Sequence, residues 1–288
     1  MRIVIVCLVI SSCAFFACNY RPVVRSNEGA LEPKNTSGEV TIPSEQAVEF
    51  EGVSFTYDPR IFGDVKKEVV PEHKLEDPTE KPDYAAPQHV LFEFEFGRQY
   101  SSNTRLEVYP LDRFDDAYAV NPHLVAVMKE NIAGLQKVLK DPSFRLEGQI
   151  PHLDFGDGSD LFYAKVRNFD FPSGDGVSFV AYWDIESALI SNRKLFYRFE
   201  GITADKKFYV TAETPISVAF LPDNDPEEFE GYTYENLYNG NSNSKDTIAR
   251  IEKYRNSIAT RLEKLDSNDY SPNLEKFEAI ISSLKITK

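Results

Sequence analysis

Gly174–Asp184 (GDGVSFVAYWD) and Leu195–Ile216 (LFYRFEGITADKKFYVTAETPI) are the stretches whose reading decides the fold. In the second, Leu195, Tyr197 and Phe199 alternate with Phe196 and Arg198. Ala204-Asp205-Lys206-Lys207 then turns the chain, and Phe208, Val210 and Ala212 return until Pro215. An apolar period of two on both sides of a polar turn is a β-hairpin. In the first, Val177, Phe179, Ala181 and Trp183 alternate in the same way, after Phe162, Ala164, Val166 and Phe169 have run up to Pro172. Ser173-Gly174-Asp175-Gly176 between the two runs reads as the hairpin turn. Consecutive hairpins without an intervening helix point to antiparallel pairing and not to alternating strand–helix–strand units.

Toward the N-terminus, Val48 and Phe50, then Val53, Phe55 and Tyr57, read as two short strands, or one strand bulged at Gly52. Asp58-Pro59 ends them, and 64–70 is a further candidate strand. Residues 71–88, with Pro71, Pro78, Pro82 and Pro87, read as a long solvated insertion. Val90, Phe92, Phe94 and Phe96 form a half-buried strand pattern, and Leu106 and Val108 suggest the next. Asn121-Pro122 is a helix start, followed by Leu124, Val127, Met128, Ile132, Leu135, Val138 and Leu139 at helical spacing, until Asp141-Pro142.

On the C-terminal side, 222–246 is acidic, rich in Asn and Ser, and reads as loop. Ile248, Ile251, Tyr254, Ile258, Leu262 and Leu265 mark a long helix, and Ser271-Pro272 opens a last one through Leu274, Phe277, Ile280, Ile281 and Leu284. The expectation is an α+β fold: a mainly antiparallel sheet of hairpins packed with about three helices, in one domain over 47–288.

The first residues read as an address. Arg2 precedes an uncharged apolar run from Ile3 to Ala17, shorter than a spanning helix needs. Cys18 follows the small Ala17, as in the bacterial lipobox, where the thiol is acylated and becomes the new N-terminus. Phe15 stands where Leu is usual. Ile10-Ser11-Ser12-Cys13 matches the box by residue type but leaves a very short signal, and an ordinary cleaved signal or retained anchor is the other alternative. The expected organisation is a lipoprotein signal peptide over 1–17 and a disordered, Pro-containing tether over 18–46.

Composition narrows the function classes. Hydrophobic residues make up 42% of the 288, enough to bury a core. Asp and Glu number 46 against 32 Lys and Arg, a net charge of −14, so nucleic acid, which needs a basic face, is not an expected partner. Cys7, Cys13 and Cys18 are the only thiols, which excludes a disulfide framework, a thiolate zinc site or a Cys nucleophile in the body.

Gly52–Pro59 (GVSFTYDP), Gly174–Asp184 and Leu195–Ile216 together resemble a set of uncharacterised bacterial secreted proteins and lipoproteins. The shared order is Phe196-Tyr197, Gly201-Ile202-Thr203, Tyr209-Val210 and Pro215-Ile216. The resemblance implies a fold and an extracytoplasmic location, and its motifs carry no catalytic residue. A fainter, fold-level likeness is to PsbP-like proteins, through the opening Gly-x-x-Phe strand and the closing helix at 280–286; it licenses no function.

The catalytic signatures HExxH, GxSxG, GxxxxGK[ST] and GxGxxG are absent, and Asp154-Phe155-Gly156 lacks the loops that would make it a kinase motif. His73, His89, His123 and His152 are never three or four residues apart, so they form no local metal pair. His152-x-Asp154 has the spacing to orient an imidazole, but reads as a surface turn. Asp154, Asp157 and Asp160, and separately Asp223, Asp225 and Glu227, are acidic turns with weak calcium-loop spacing. Trp183-Asp184 offers a stacking ring beside an acid, with a core Trp as the plainer reading. Tyr232, Tyr234 and Tyr238 are a weak candidate contact patch, because Tyr suits interfaces. The expected function is a non-enzymatic binding or accessory lipoprotein, without cofactor, anchored in the membrane of the bacterial envelope. Its loops at 71–88 and 221–243 would contact an envelope protein or ligand. The alternative is a glycan-acting hydrolase with paired carboxylates.

Overall fold

The computed structural model describes residues 44–82, 85–96, 103–141, 150–153, 159–184, 189–238 and 244–287. Cys18, the signal and most of the tether, with Asp154 and Asp157, lie outside the described residues. In chain order the elements are β1 (Gln46–Phe50), β2 (Val53–Tyr57), α1 (Pro59–Phe62), β3 (Val65–Val70), β4 (His89–Phe94), β5 (Arg105–Pro110), α2 (Phe114–Ala117), α3 (Pro122–Lys140), β6 (Ser159–Phe171), β7 (Gly174–Asp184), β8 (Leu195–Thr203) and β9 (Phe208–Pro215). There follow β10 (Ser217–Val218), β11 (Glu228–Phe229), β12 (Tyr232–Thr233), α4 (Tyr234–Tyr238), α5 (Lys245–Lys264), β13 (Tyr270–Ser271), α6 (Leu274–Ser283) and β14 (Lys285–Ile286).

The fold is α+β. Seven strands pair in the order β3-β4-β5-β9-β8-β7-β6, and every neighbour is antiparallel. β1-β2-β14 form a smaller sheet, and α3, α5 and α6 are the helices of ten residues or more among the described residues. β1 and β2 are two strands rather than one bulged strand. Glu51 and Gly52 both have positive φ, 49° and 75°, the left-handed pair that a two-residue hairpin turn requires.

The start of α3 follows its sequence signal. The Asn121 side chain accepts from the Leu124 amide at 3.3 Å, and Pro122 occupies the first helical position, where no amide bond is lost. Asn121→Ala is expected to cost about 1 kcal/mol, read as a lower urea midpoint at unchanged slope.

Four sequence expectations need correction. The turn between β6 and β7 is Pro172-Ser173, and Gly174 and Gly176 belong to the strand. They stand there because β8 comes so close that a Cβ on Gly174 would lie 2.2 Å from the Ile202 carbonyl oxygen. Residues 222–246 are not all loop. β11 and β12 form a miniature hairpin over Glu230-Gly231, with φ of 53° and 80°, and α4 follows; strands of two residues leave no period to read. The last helix starts at Leu274, capped by the Asn273 side chain, and not at Ser271-Pro272. At the start of α5, Thr247 is buried and Ile248 is exposed, because Thr247 is drawn in by the capping Ser244.

Both faces of the large sheet are covered, which the alternation did not announce. On one face, Val90, Phe92, Phe94, Leu106, Val108, Val180, Tyr182, Tyr197, Phe199, Val210 and Ala212 pack against the small sheet, α5 and α6. On the other, Val177, Phe179 and Ala181 join Met128, Leu135 and Val138 of α3. Consequently all nine residues of β8 are buried, including Arg198 and Glu200.

Candidate functional site

The second face changes character where it leaves α3. On β5, β9 and β8 its residues fall into rows set by the register. Arg105, Glu213 and Arg198 lie side by side across the three strands, and Glu107, Thr211 and Glu200 form the next row. Tyr109 and Tyr209 form a third. The first row puts opposite charges directly across from one another, the favourable cross-strand arrangement.

Glu213 bridges two guanidiniums: one oxygen takes Arg105 Nε at 3.0 Å and the other takes Arg198 Nε at 3.0 Å. Arg198 also reaches Asp160 on the edge hairpin, Nη1 to Oδ2 at 3.5 Å. Glu107 accepts from the Tyr109 hydroxyl at 2.9 Å. Glu200 accepts from the hydroxyls of Tyr209 and Thr211, the latter at 3.3 Å.

Burial alone would raise the Glu213 carboxyl, but Arg105 and Arg198 outweigh it and hold the group below the ordinary carboxylate range. For Asp160 the balance goes the other way: burial raises it, against the pull of Arg198 and His152. Burial opposes the charge on Arg198, and Glu213, Asp160 and Glu200 more than restore it. The Tyr209 phenol is pushed well above its usual value by burial and by the Glu200 carboxylate beside it.

Apart from Glu213, the residues of these rows form the floor of a cavity of about 320 Å³. Phe114 and Tyr118 wall it, and Pro71, His73, Pro82, Ala85 and Ala86 form its rim. Residues 71–82 and 85–88 are therefore a packed roof rather than a solvated insertion. His73 and Ala86 exchange backbone hydrogen bonds of 2.9 and 3.0 Å, the Leu75 amide donates to Ala117 at 3.0 Å, and the Tyr118 hydroxyl donates to the Ala85 carbonyl at 2.5 Å. His89 stacks on Tyr109 at 4.2 Å, closing one end.

Of the residues singled out from sequence, His73 and His89 border this cavity and the others lie outside its lining. Asp160, read as part of an acidic turn, is a buried strand residue facing Arg198. His152 is half-buried, and its charge acts on Asp160. Asp225 accepts from Ser191 at 2.8 Å and from Arg193 at 3.3 Å, and Asp223 accepts from the buried Asn192 amide at 3.2 Å, while Glu227 is exposed. These bonds hold the approach to β8, and among the described residues no three His, Cys, Asp or Glu are placed to hold a metal. Asp184 is fully enclosed and takes the Lys194 ammonium at 2.5 Å. Trp183, expected in the core, is half-buried at the end of the edge hairpin. Neither position favours a hydrolytic carboxylate pair. Tyr232 packs on Tyr254 at 4.8 Å and Tyr238 rests against the core; Tyr234, tilted against Tyr238 at 4.9 Å, is exposed.

Sequence reasoning passed over the floor residues, because polar residues alternating with apolar ones read as solvent-facing. A usable signal was present. The turn at Ala204–Lys207 sets the hairpin register, and that register places Arg198 opposite Glu213. The chain matches no protein-family model and no curated protein.

Proposed function

We propose that this chain is a lipid-anchored extracytoplasmic binding module of the bacterial envelope, and that the cleft between the large sheet and the 71–88 roof holds a small polar ligand. The anchor is supported by the charged start, the apolar run and Cys18; among the described residues no helix is long and apolar enough to cross a membrane. One observation carries the binding reading: Arg198 and Glu200 are buried at the floor of a cavity, with the buried Glu213 paired to Arg198, instead of being replaced by apolar residues. Buried ion pairs return little stability for their desolvation. A cluster of them that opens into a cavity is accounted for by recognition, since ligand sites combine aromatic walls with a few convergent polar groups.

Thermal denaturation of the mature protein against a panel of small cationic, neutral and anionic compounds tests the cleft. At least one class should raise Tm by several degrees as its concentration passes Kd. Ala86→Phe, which fills the rim without touching the charged floor, should abolish the shift. A panel without any hit, or a hit that persists in Ala86→Phe, sinks the binding reading. The anchor is tested separately by mass spectrometry, which should find the mature N-terminus at Cys18 carrying diacylglycerol.

A further inference from the structure

The charges of the floor do not cancel. Asp160 and Glu213 engage the two guanidiniums, Arg198 taking both and Arg105 taking Glu213. Glu107 and Glu200 also face the cavity: Glu107 lies 4.0 Å from Arg105 through one oxygen and accepts from the Tyr109 hydroxyl through the other, and Glu200 accepts from the hydroxyls of Tyr209 and Thr211 and acts on the Arg198 charge. Among the described residues this cluster sets Glu107, Glu200, Glu213 and Asp160 against Arg105 and Arg198, and an excess of one negative charge persists within it even with Asp160 protonated. Hydroxyl donors hold a carboxylate in place without neutralising it.

The walls add to the same field. Tyr109 packs against Phe114 at 5.5 Å and against Tyr209 at 6.0 Å, and Phe114 meets Tyr209 edge-on at 6.3 Å. Aromatic faces attract cations through the ring quadrupole, and more strongly where water is excluded. The acidic chain, at −14, raises the local concentration of cations around the entrance.

We infer that the cleft takes a small organic cation, with an ammonium group directed at Glu107 and Glu200 and its carbon skeleton against Tyr109 and Phe114. This rests on the cleft being a binding site. An anionic ligand would have to displace Glu213 from two guanidiniums that already hold it at 3.0 Å each. The cavity, about 320 Å³, lies at the small end of ligand sites, which suits a short aliphatic amine better than a polymer.

Three probes of equal length separate charge from shape: 1,4-diaminobutane, butane-1,4-diol and butanedioate. They are titrated into the mature protein at mildly alkaline pH and low salt, with calorimetry and thermal denaturation as readouts. The diamine alone should bind, raising Tm by about 5 °C near a hundredfold excess over Kd. Its affinity should fall about tenfold in Glu107→Gln, and raised salt should weaken it. Ala86→Phe should remove binding while the charged floor stays intact, which keeps the test decisive should Glu107→Gln fold poorly. Binding of the diol or the dianion with the diamine silent overturns the cation and leaves the cleft as a binding site. Diamine binding that survives Ala86→Phe also overturns the inference, because it is then attraction to the acidic surface. Silence of all three probes overturns it as well, and the wider panel then decides whether the cleft binds anything.

Discussion

Arg198→Leu is expected to lower stability by about 3–5 kcal/mol at neutral pH, a large share of what a domain has. The leucine fills part of the volume but leaves Asp160 without the guanidinium that faces it and takes one of two cations from Glu213. Asp160 is 8% and Glu213 7% exposed, so water cannot replace the lost partner.

The effect has a pH signature. In the native protein the Glu213 carboxyl is held low, so its contribution is present above the ordinary carboxylate range and is lost as pH falls through its folded value. In Arg198→Leu, burial is opposed by less positive charge, and the folded-state values of Asp160 and Glu213 rise. Groups raised in the folded state favour folding at low pH and disfavour it as pH rises through the raised value. The variant should therefore recover part of its deficit between neutral pH and about pH 5, where carboxylates begin to bind protons. Urea midpoints of both proteins across that range measure this. A deficit below about 1 kcal/mol, the scale of exposed pairs, or one that is constant with pH, would mean the cluster is hydrated and not buried.

Gly176→Ala is the second large effect, at about 3 kcal/mol. A Cβ there would lie 2.2 Å from Cε2 and 2.3 Å from Cζ of Phe199, and 3.0 Å from the Glu200 carbonyl oxygen. The ring has little room to yield. Phe199 is 1% exposed and is held edge-on by Phe169 at 6.2 Å and Phe171 at 5.6 Å, and a Cβ on Gly201, two residues along its own strand, would meet it at 2.7 Å. Gly176 and Gly201 thus form the bed on which Phe199 lies. Phe199→Leu removes the atoms that clash, so Gly176→Ala should cost at least 1 kcal/mol less in that background. A double-mutant cycle in urea gives the coupling, and independent, additive costs would mean that the strand, not the ring, resists the methyl group.

Arg198 and Gly176 show where reading from sequence stops. The alternation around Arg198 was legible, and so was the antiparallel hairpin. The period of two says which residues share a face and does not say what covers that face. In the sequence Arg198 is only a polar residue alternating with apolar ones and Glu200 carries no signal, because nothing near them in the chain reveals that residues 71–82 and 85–88 fold over them. Gly176 was assigned to a turn because glycine permits both a turn and a close approach, and only the neighbouring strand distinguishes the two. The signals that held are local ones: the Asn121 cap, the break at Gly52 between two short strands, and the apolar stripes of α3 and α6.

By itself the sequence determined the α+β class, the hairpin order through Leu195–Pro215 and the main helices, because caps, turns and periodicity act over a few residues. Tertiary structure alone decided that both faces of the sheet are covered, that Arg105, Glu213 and Arg198 meet in one row, and that Asp160 reaches Arg198 from the edge hairpin. It also decided that the Pro-containing segment roofs a cleft instead of extending into solvent. Those outcomes depend on contacts between residues some 30 to 110 positions apart, such as Tyr118 with Ala85 and Arg105 with Glu213. Burial, which sets the charge state and value of every carboxylate in the cleft, is a property of that packing and has no local signature.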